Sequence, residues 1–109
     1  MPVVKATETF RKRAARLLTD AECAALAEFL AAHPDSGDVV AGTGGVRKLR
    51  WGMAGQGKRG GARVLHLFLM HRDTLWLLDI YGKREKADLS RADVKAVRTL
   101  VSAIKRAAG

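Results

Sequence analysis

The sequence predicts an α+β domain: a small antiparallel sheet with N-terminal helices and a C-terminal helix. Three observations carry that expectation. Thr19-Asp20-Ala21-Glu22 and Ser90-Arg91-Ala92-Asp93 are capping-box patterns, and each opens a stretch with apolar residues at helical spacing. Between them, two apolar runs flank Arg72-Asp73 like the arms of a hairpin. At 109 residues and 48% apolar composition, the chain has the size of one domain, residues 1–109, with a single core.

Val3 to Phe10 alternates loosely and carries β-branched residues, which predicts a first strand. Phe10 to Leu18 reads as a short basic helix. The helix opened by Thr19 places Leu26, Phe29 and Leu30 on one face. It stops at His33-Pro34, because proline disfavours a helical residue before it. Asp35 to Gly45 is turn material. Val46 to Trp51 is a short strand, with Arg47, Leu49 and Trp51 on one face and Val46, Lys48 and Arg50 on the other. The Leu49/Trp51 face is the expected core face, which turns Lys48 and Arg50 outward. Gly52 to Gly61 reads as a glycine-rich connection. Ala62 to His71 and Thr74 to Gly82 are apolar on both faces and are expected to be central strands. In the last helix Val94, Val97, Leu100, Val101 and Ile104 share a face, with Leu89 and Val94 placed as a hydrophobic staple. Its basic end suits the negative pole of the helix dipole.

Lys and Arg number 20 against 11 Asp and Glu, a formal charge of +9. With a pI near 10.5, the expected partners are polyanions: nucleic acid, an anionic surface or an acidic protein. The apolar runs Val64 to Met70 and Leu75 to Ile80 are far shorter than the roughly 20 residues that span a bilayer. The N-terminal residues lack the apolar stretch of a signal peptide. Cys23 is alone, which leaves no disulfide framework. A cytoplasmic protein with no membrane partner is expected.

Charge is distributed unevenly. Residues 39–72 contain no Asp or Glu, yet carry Arg47, Lys48, Arg50, Lys58, Arg59, Arg63 and Arg72. Like charges without local counter-charge repel one another, and a bound polyanion would supply what is missing. Competing motifs fail on context. Gly55-Gln56-Gly57-Lys58-Arg59-Gly60 matches a dinucleotide fingerprint in letters alone. That motif must open a helix, whereas Ala62 to His71, just after it, reads as a strand. The same stretch mimics a P-loop, but Arg59 stands where Ser or Thr would bind Mg²⁺. His66 and His71, five residues apart on a strand, point to opposite faces, so neither metal nor cofactor is expected. Trp51 and Trp76 read as core residues. Tyr81 ends a strand beside Lys83 and Arg84 and is a candidate for facing the site.

Gly42-Thr43-Gly44-Gly45-Val46-Arg47-Lys48-Leu49-Arg50-Trp51, with Gly57-Lys58-Arg59-Gly60-Gly61-Ala62-Arg63-Val64 after it, resembles the RelE/HigB family of bacterial toxins. Asp79-Ile80-Tyr81-Gly82-Lys83-Arg84-Glu85-Lys86-Ala87-Asp88-Leu89-Ser90 is similar to that family's last strand and its exit. The resemblance runs from about residue 3 to residue 105. It implies a RelE-like, microbial ribonuclease-like sheet and a toxin that enters the ribosome and cuts the mRNA there without metal. It also implies an adjacently encoded antitoxin, of helix-turn-helix type in the HigB branch, and indirect binding to operator DNA through that antitoxin.

The resemblance further assigns roles. In the family's chemistry the mRNA 2′-hydroxyl attacks the adjacent phosphate. The growing charge must be stabilised and the leaving 5′-oxygen protonated. Arg63 matches the phosphate-gripping Arg, whose fork makes paired charge-assisted bonds. Arg84 matches the Arg after the last strand, in an electrostatic role, since a guanidinium with a pKa above about 12 is a poor acid. Lys48 and Arg50 match the basic pair, with Lys48 the candidate base because neighbouring Arg47, Arg50 and Arg63 would depress it. Arg47, Lys58, Arg59, Tyr81 and Lys83 are expected to bind RNA. The chain departs from some members in having no aromatic after Tyr81, and of its histidines only His66 could join an acid pair. The alternatives are a ParE-like toxin that inhibits DNA gyrase without nuclease chemistry, and a basic RNA- or DNA-binding accessory domain.

Overall fold

The computed structural model describes the backbone of residues 1–53 and 57–109, and the side chains of 1–52 and 61–109. Its elements are β1 (Val3–Ala6), α1 (Glu8–Leu17), α2 (Asp20–Ala32), β2 (Asp38–Val39), β3 (Arg47–Met53), β4 (Gly57–Leu69), β5 (Thr74–Gly82) and α3 (Arg91–Ala108). The described strands form one sheet in the order β1-β5-β4-β3-β2. Three of its pairings are antiparallel, and the edge strand β1 joins β5 in parallel. The α+β class holds, with a mixed rather than purely antiparallel sheet. The first strand ends early because Thr7 caps α1: its hydroxyl accepts the Phe10 N–H at 3.0 Å and donates to the Leu78 carbonyl at 2.7 Å.

Both capping boxes form. The Thr19 hydroxyl accepts from Glu22 N at 3.1 Å while the Glu22 carboxylate accepts from Thr19 N at 2.8 Å. Ser90 and Asp93 do the same at 3.1 and 2.9 Å. The hairpin joining β4 and β5 turns through a 3₁₀ segment, Met70–Arg72, and closes at Asp73, whose φ of 46° is left-handed. The segment expected to be a glycine-rich connection is instead largely strand: β3 runs on to Met53 and β4 begins at Gly57. Glycine is a poor strand former, but Gly61 is required here. A Cβ there would collide with the Trp51 backbone carbonyl. The fingerprint-like residues Gly55 and Gln56 lie outside the described residues.

Helices cover both faces of the sheet. On one face Phe10, Ala14, Leu26 and Leu30 pack against Ala62, Val64, Leu75, Leu77 and Ile80. Leu49 and Trp51 join that layer as expected, Trp51 with its ring 5.5 Å from Phe29. The opposite face is a core as well: Val46, Leu65, Leu67, Leu69 and Leu78 pack against Val97 and Val101 of α3. Strand β4 alternates between the layers, sending Ala62, Val64, His66 and Phe68 to the α1/α2 side and Arg63, Leu65, Leu67 and Leu69 to the α3 side. Leu65 pairs with Asp79 but His66 pairs with Leu77, so Leu78 is an extra residue on β5. This bulge keeps Ile80 in the first core and puts Tyr81 on the α3 side.

Candidate nucleic-acid interface

Beyond the reach of α3 the apolar α3 face gives way to charge. Across three strands, Arg50 of β3 lies directly opposite Arg63 of β4, which lies opposite Tyr81 of β5. The next row is Lys48, Leu65 and Asp79. Directly opposed residues share a face with Cβ atoms roughly 5 Å apart, and like charges there are unfavourable. Yet Arg63 is only 6% exposed, and its guanidinium donates to the Gly61 carbonyl at 3.1 Å. Arg50 is exposed. Among the described residues neither pairs with an acid.

The acids missing from residues 39–72 arrive from later in the chain, and they go to other cations. Asp88 takes Lys48 at 2.9 Å, Asp93 takes Lys86 at 3.3 Å, and Asp79 takes Arg13 at 3.0 Å. Lys48, with the Leu89 N–H behind it, holds the Asp88 carboxyl below the usual range. Lys48, the expected base, therefore has different neighbours from those the sequence suggested. Its ammonium is engaged with a carboxylate, and Arg47, one of the cations expected to depress it, lies on the other face and donates to the Gly37 carbonyl at 2.9 Å. Arg47 therefore does not belong to this surface.

Tyr81 is also corrected. It is fully buried, so its ring is not presented for stacking. Lys86 stands 5.1 Å over that ring. Its buried hydroxyl has no hydrogen-bond partner among the described residues. Burial pushes the phenol's pKa up, the Asp88 charge adds to the rise, and Arg63 opposes it. Lys83 and Arg84 are exposed in the turn after Gly82. Lys58 and Arg59 fall on β4, but their side chains lie outside the described residues. His66 is removed from the site: it is fully buried on the α1/α2 face, with Nε2 2.8 Å from the Ser36 carbonyl. Burial lowers its pKa, the Ser36 bond opposes this, and Arg47 lowers it further. Among the described residues no three His, Cys, Asp or Glu side chains converge as a metal site would require.

The surface thus carries Arg50 and Arg63, opposed in the β3–β4 register with no acid paired to either among the described residues, next to a Lys48 engaged by Asp88; Arg84 is exposed in the turn that follows β5. No helix of the described residues is long and apolar enough to cross a membrane. Residues 2–108 match a family model described as the RelE toxin of the RelE / RelB toxin-antitoxin system.

Proposed function

The chain belongs to the RelE toxin family, and on that premise we propose that it is a ribosome-dependent, metal-independent mRNA endoribonuclease held in check by a cognate antitoxin. The observation that carries this reading is the Arg50–Arg63 pair, two cations opposed across the β3–β4 ladder with no acid partner among the described residues. A phosphodiester between them would replace repulsion with charge-assisted bonds. In the proposed reaction the 2′-hydroxyl loses its proton to solvent as its oxygen attacks phosphorus, and the bond to the 5′-oxygen breaks as that oxygen takes a proton from water, leaving a 2′,3′-cyclic phosphate and a 5′-hydroxyl end. Arg63 grips the non-bridging oxygens, Arg50 and Arg84 stabilise the charge that grows on them, and Lys48 and Lys83 hold the flanking backbone. The antitoxin is expected to be encoded adjacently, as a helix-turn-helix protein through which the pair reaches operator DNA. Action on translating ribosomes places the toxin in the cytoplasm.

The test is a map of RNA 5′ ends after brief induction, with wild type beside Arg63→Ala and Arg84→Ala. New 5′-hydroxyl ends inside translated messages, absent in both variants and absent without ribosomes, are the expected result. Growth arrest with intact messages would overturn the nuclease reading and favour a gyrase-binding toxin.

A further inference from the structure

Residues 83–90, between β5 and α3, cross the cationic end of the sheet, and their grip on it is mainly polar. Asp88 Oδ1 accepts from Lys48 Nζ at 2.9 Å and from the Leu89 N–H at 2.8 Å. Lys86 reaches Asp93 and covers the Tyr81 ring. Leu89 packs against the edge of the α3 core. Lys86 and Leu89 also line a half-open groove of about 260 Å³ together with Arg13, Asp79 and Asp93.

Two groups under or beside this segment lack what their chemistry calls for. Among the described residues the buried Tyr81 hydroxyl has no partner and the nearly buried Arg63 has no acid. Asp88 itself is exposed, its side chain at 71%, so its ion pair is screened and easily exchanged. Its carboxylate oxygen offers Lys48 the same kind of acceptor that a phosphodiester oxygen would.

We propose that Asp88 is a carboxylate latch: it occupies Lys48 in the free protein and yields that ammonium to an RNA phosphate. The residues that carry Lys86 and Asp88 then move off the Tyr81 ring and Lys48, so that Arg63 and the Tyr81 hydroxyl reach the same RNA strand as Arg84. The proposal rests on the reading of this surface as an RNA site and adds how access to it is regulated.

The test measures binding of the full chain to a short 2′-O-methyl oligoribonucleotide, which lacks the attacking hydroxyl, across a range of salt. Asp88→Asn retains an oxygen for the Leu89 N–H and removes the charge. It should bind about three- to fivefold tighter, the scale of an exposed ion pair. The slope of log K against log salt should steepen by about 0.7, one single-strand phosphate contact no longer offset by a released carboxylate. Asp35→Asn, an exposed acid elsewhere, controls for net charge and should leave the slope unchanged. In a Lys48→Ala background the Asp88→Asn gain should vanish. An equal gain in that background, no gain at all, or no binding by either protein overturns the latch. Cleavage of messages in a translating extract is read in parallel. Intact messages with a Lys48-dependent gain would sink the nuclease and keep the latch, and cut messages without that gain would do the reverse.

Discussion

Among its described side chains strand β4 carries one buried polar group on each face, His66 toward α1 and α2 and Arg63 toward α3, and the two are treated in opposite ways. His66 is mid-strand under helical cover, with no exposure and the Ser36 carbonyl at 2.8 Å. Arg63 shares its face with Leu69, Leu67 and Leu65, sits where the α3 core ends, and meets Arg50 instead of an acid. One polar group serves the fold, and the other is tolerated at some cost to it. A buried polar residue alone is weak grounds for assigning function. What separates the two is charge: burial favours the neutral imidazole of His66, whose Nε2 meets the Ser36 carbonyl while Nδ1 has no partner among the described residues, whereas Arg63 stays a cation set opposite another cation.

The largest effects should separate along this line. Leu26→Ala, in the fully buried α1/α2 layer, should lower unfolding free energy by about 2–5 kcal/mol in denaturant titrations. Arg63→Ala should cut mRNA cleavage by about 10²- to 10³-fold, the scale of losing one preorganised charge-stabilising group. Its stability should stay within about 1 kcal/mol of wild type, since the lost bond to Gly61 is offset by relief of the opposed Arg50. A large stability loss with cleavage intact would make Arg63 a structural residue like His66 and erase the contrast.

His66 gives the next effect, and its sign is set by burial. Its folded pKa is depressed below the ordinary value of 6.5, so the unfolded imidazole takes a proton first as the medium acidifies. The stability linked to neutral His66 is fully present above about 6.5 and is lost as pH falls through the folded value, with a limiting slope of about 1.4 kcal/mol per pH unit. His66→Gln abolishes this component. Unfolding midpoints of the two proteins should keep a constant separation from pH 8 to 7 and converge below about 6.5. Parallel curves at every pH would show that burial does not control this side chain.

The sequence carried the local signals well. Thr19/Glu22 and Ser90/Asp93 announce their helices because capping is a three-residue interaction. Proline after His33 marks a stop that α2 obeys. Strand alternation correctly separated Lys48 and Arg50 from Leu49 and Trp51, and the family resemblance drew Arg63 to the same surface. What stayed hidden is long-range. The Asp88–Lys48 bond joins residues 40 apart, so an acid-free segment looked barer than the folded surface is. The Leu78 bulge, invisible in a run of apolar letters, decides which side Tyr81 takes and so its burial. Gly52 to Gly61 read as loop because composition outweighed a backbone contact, Gly61 against the Trp51 carbonyl, that only the fold reveals.

The smallest test compares the caps. Thr19 opens α2 on the fully covered side, while Ser90 opens α3 immediately after the segment that crosses the cationic surface. Thr19→Ala and Ser90→Ala remove equivalent bonds, and each should cost about 1 kcal/mol of global stability. Their local consequences should differ. Asp93 is held both by the Ser90 N–H and by Lys86, so loosening the α3 cap also loosens the anchor of residues 83–90. Amide exchange in 83–90 should therefore accelerate in Ser90→Ala beyond what the global loss accounts for, whereas Thr19→Ala should change it only through global unfolding. Equal exchange in both variants would mean that the cationic end is held as firmly as the α1/α2 face, and that helical cover does not set where this fold can open.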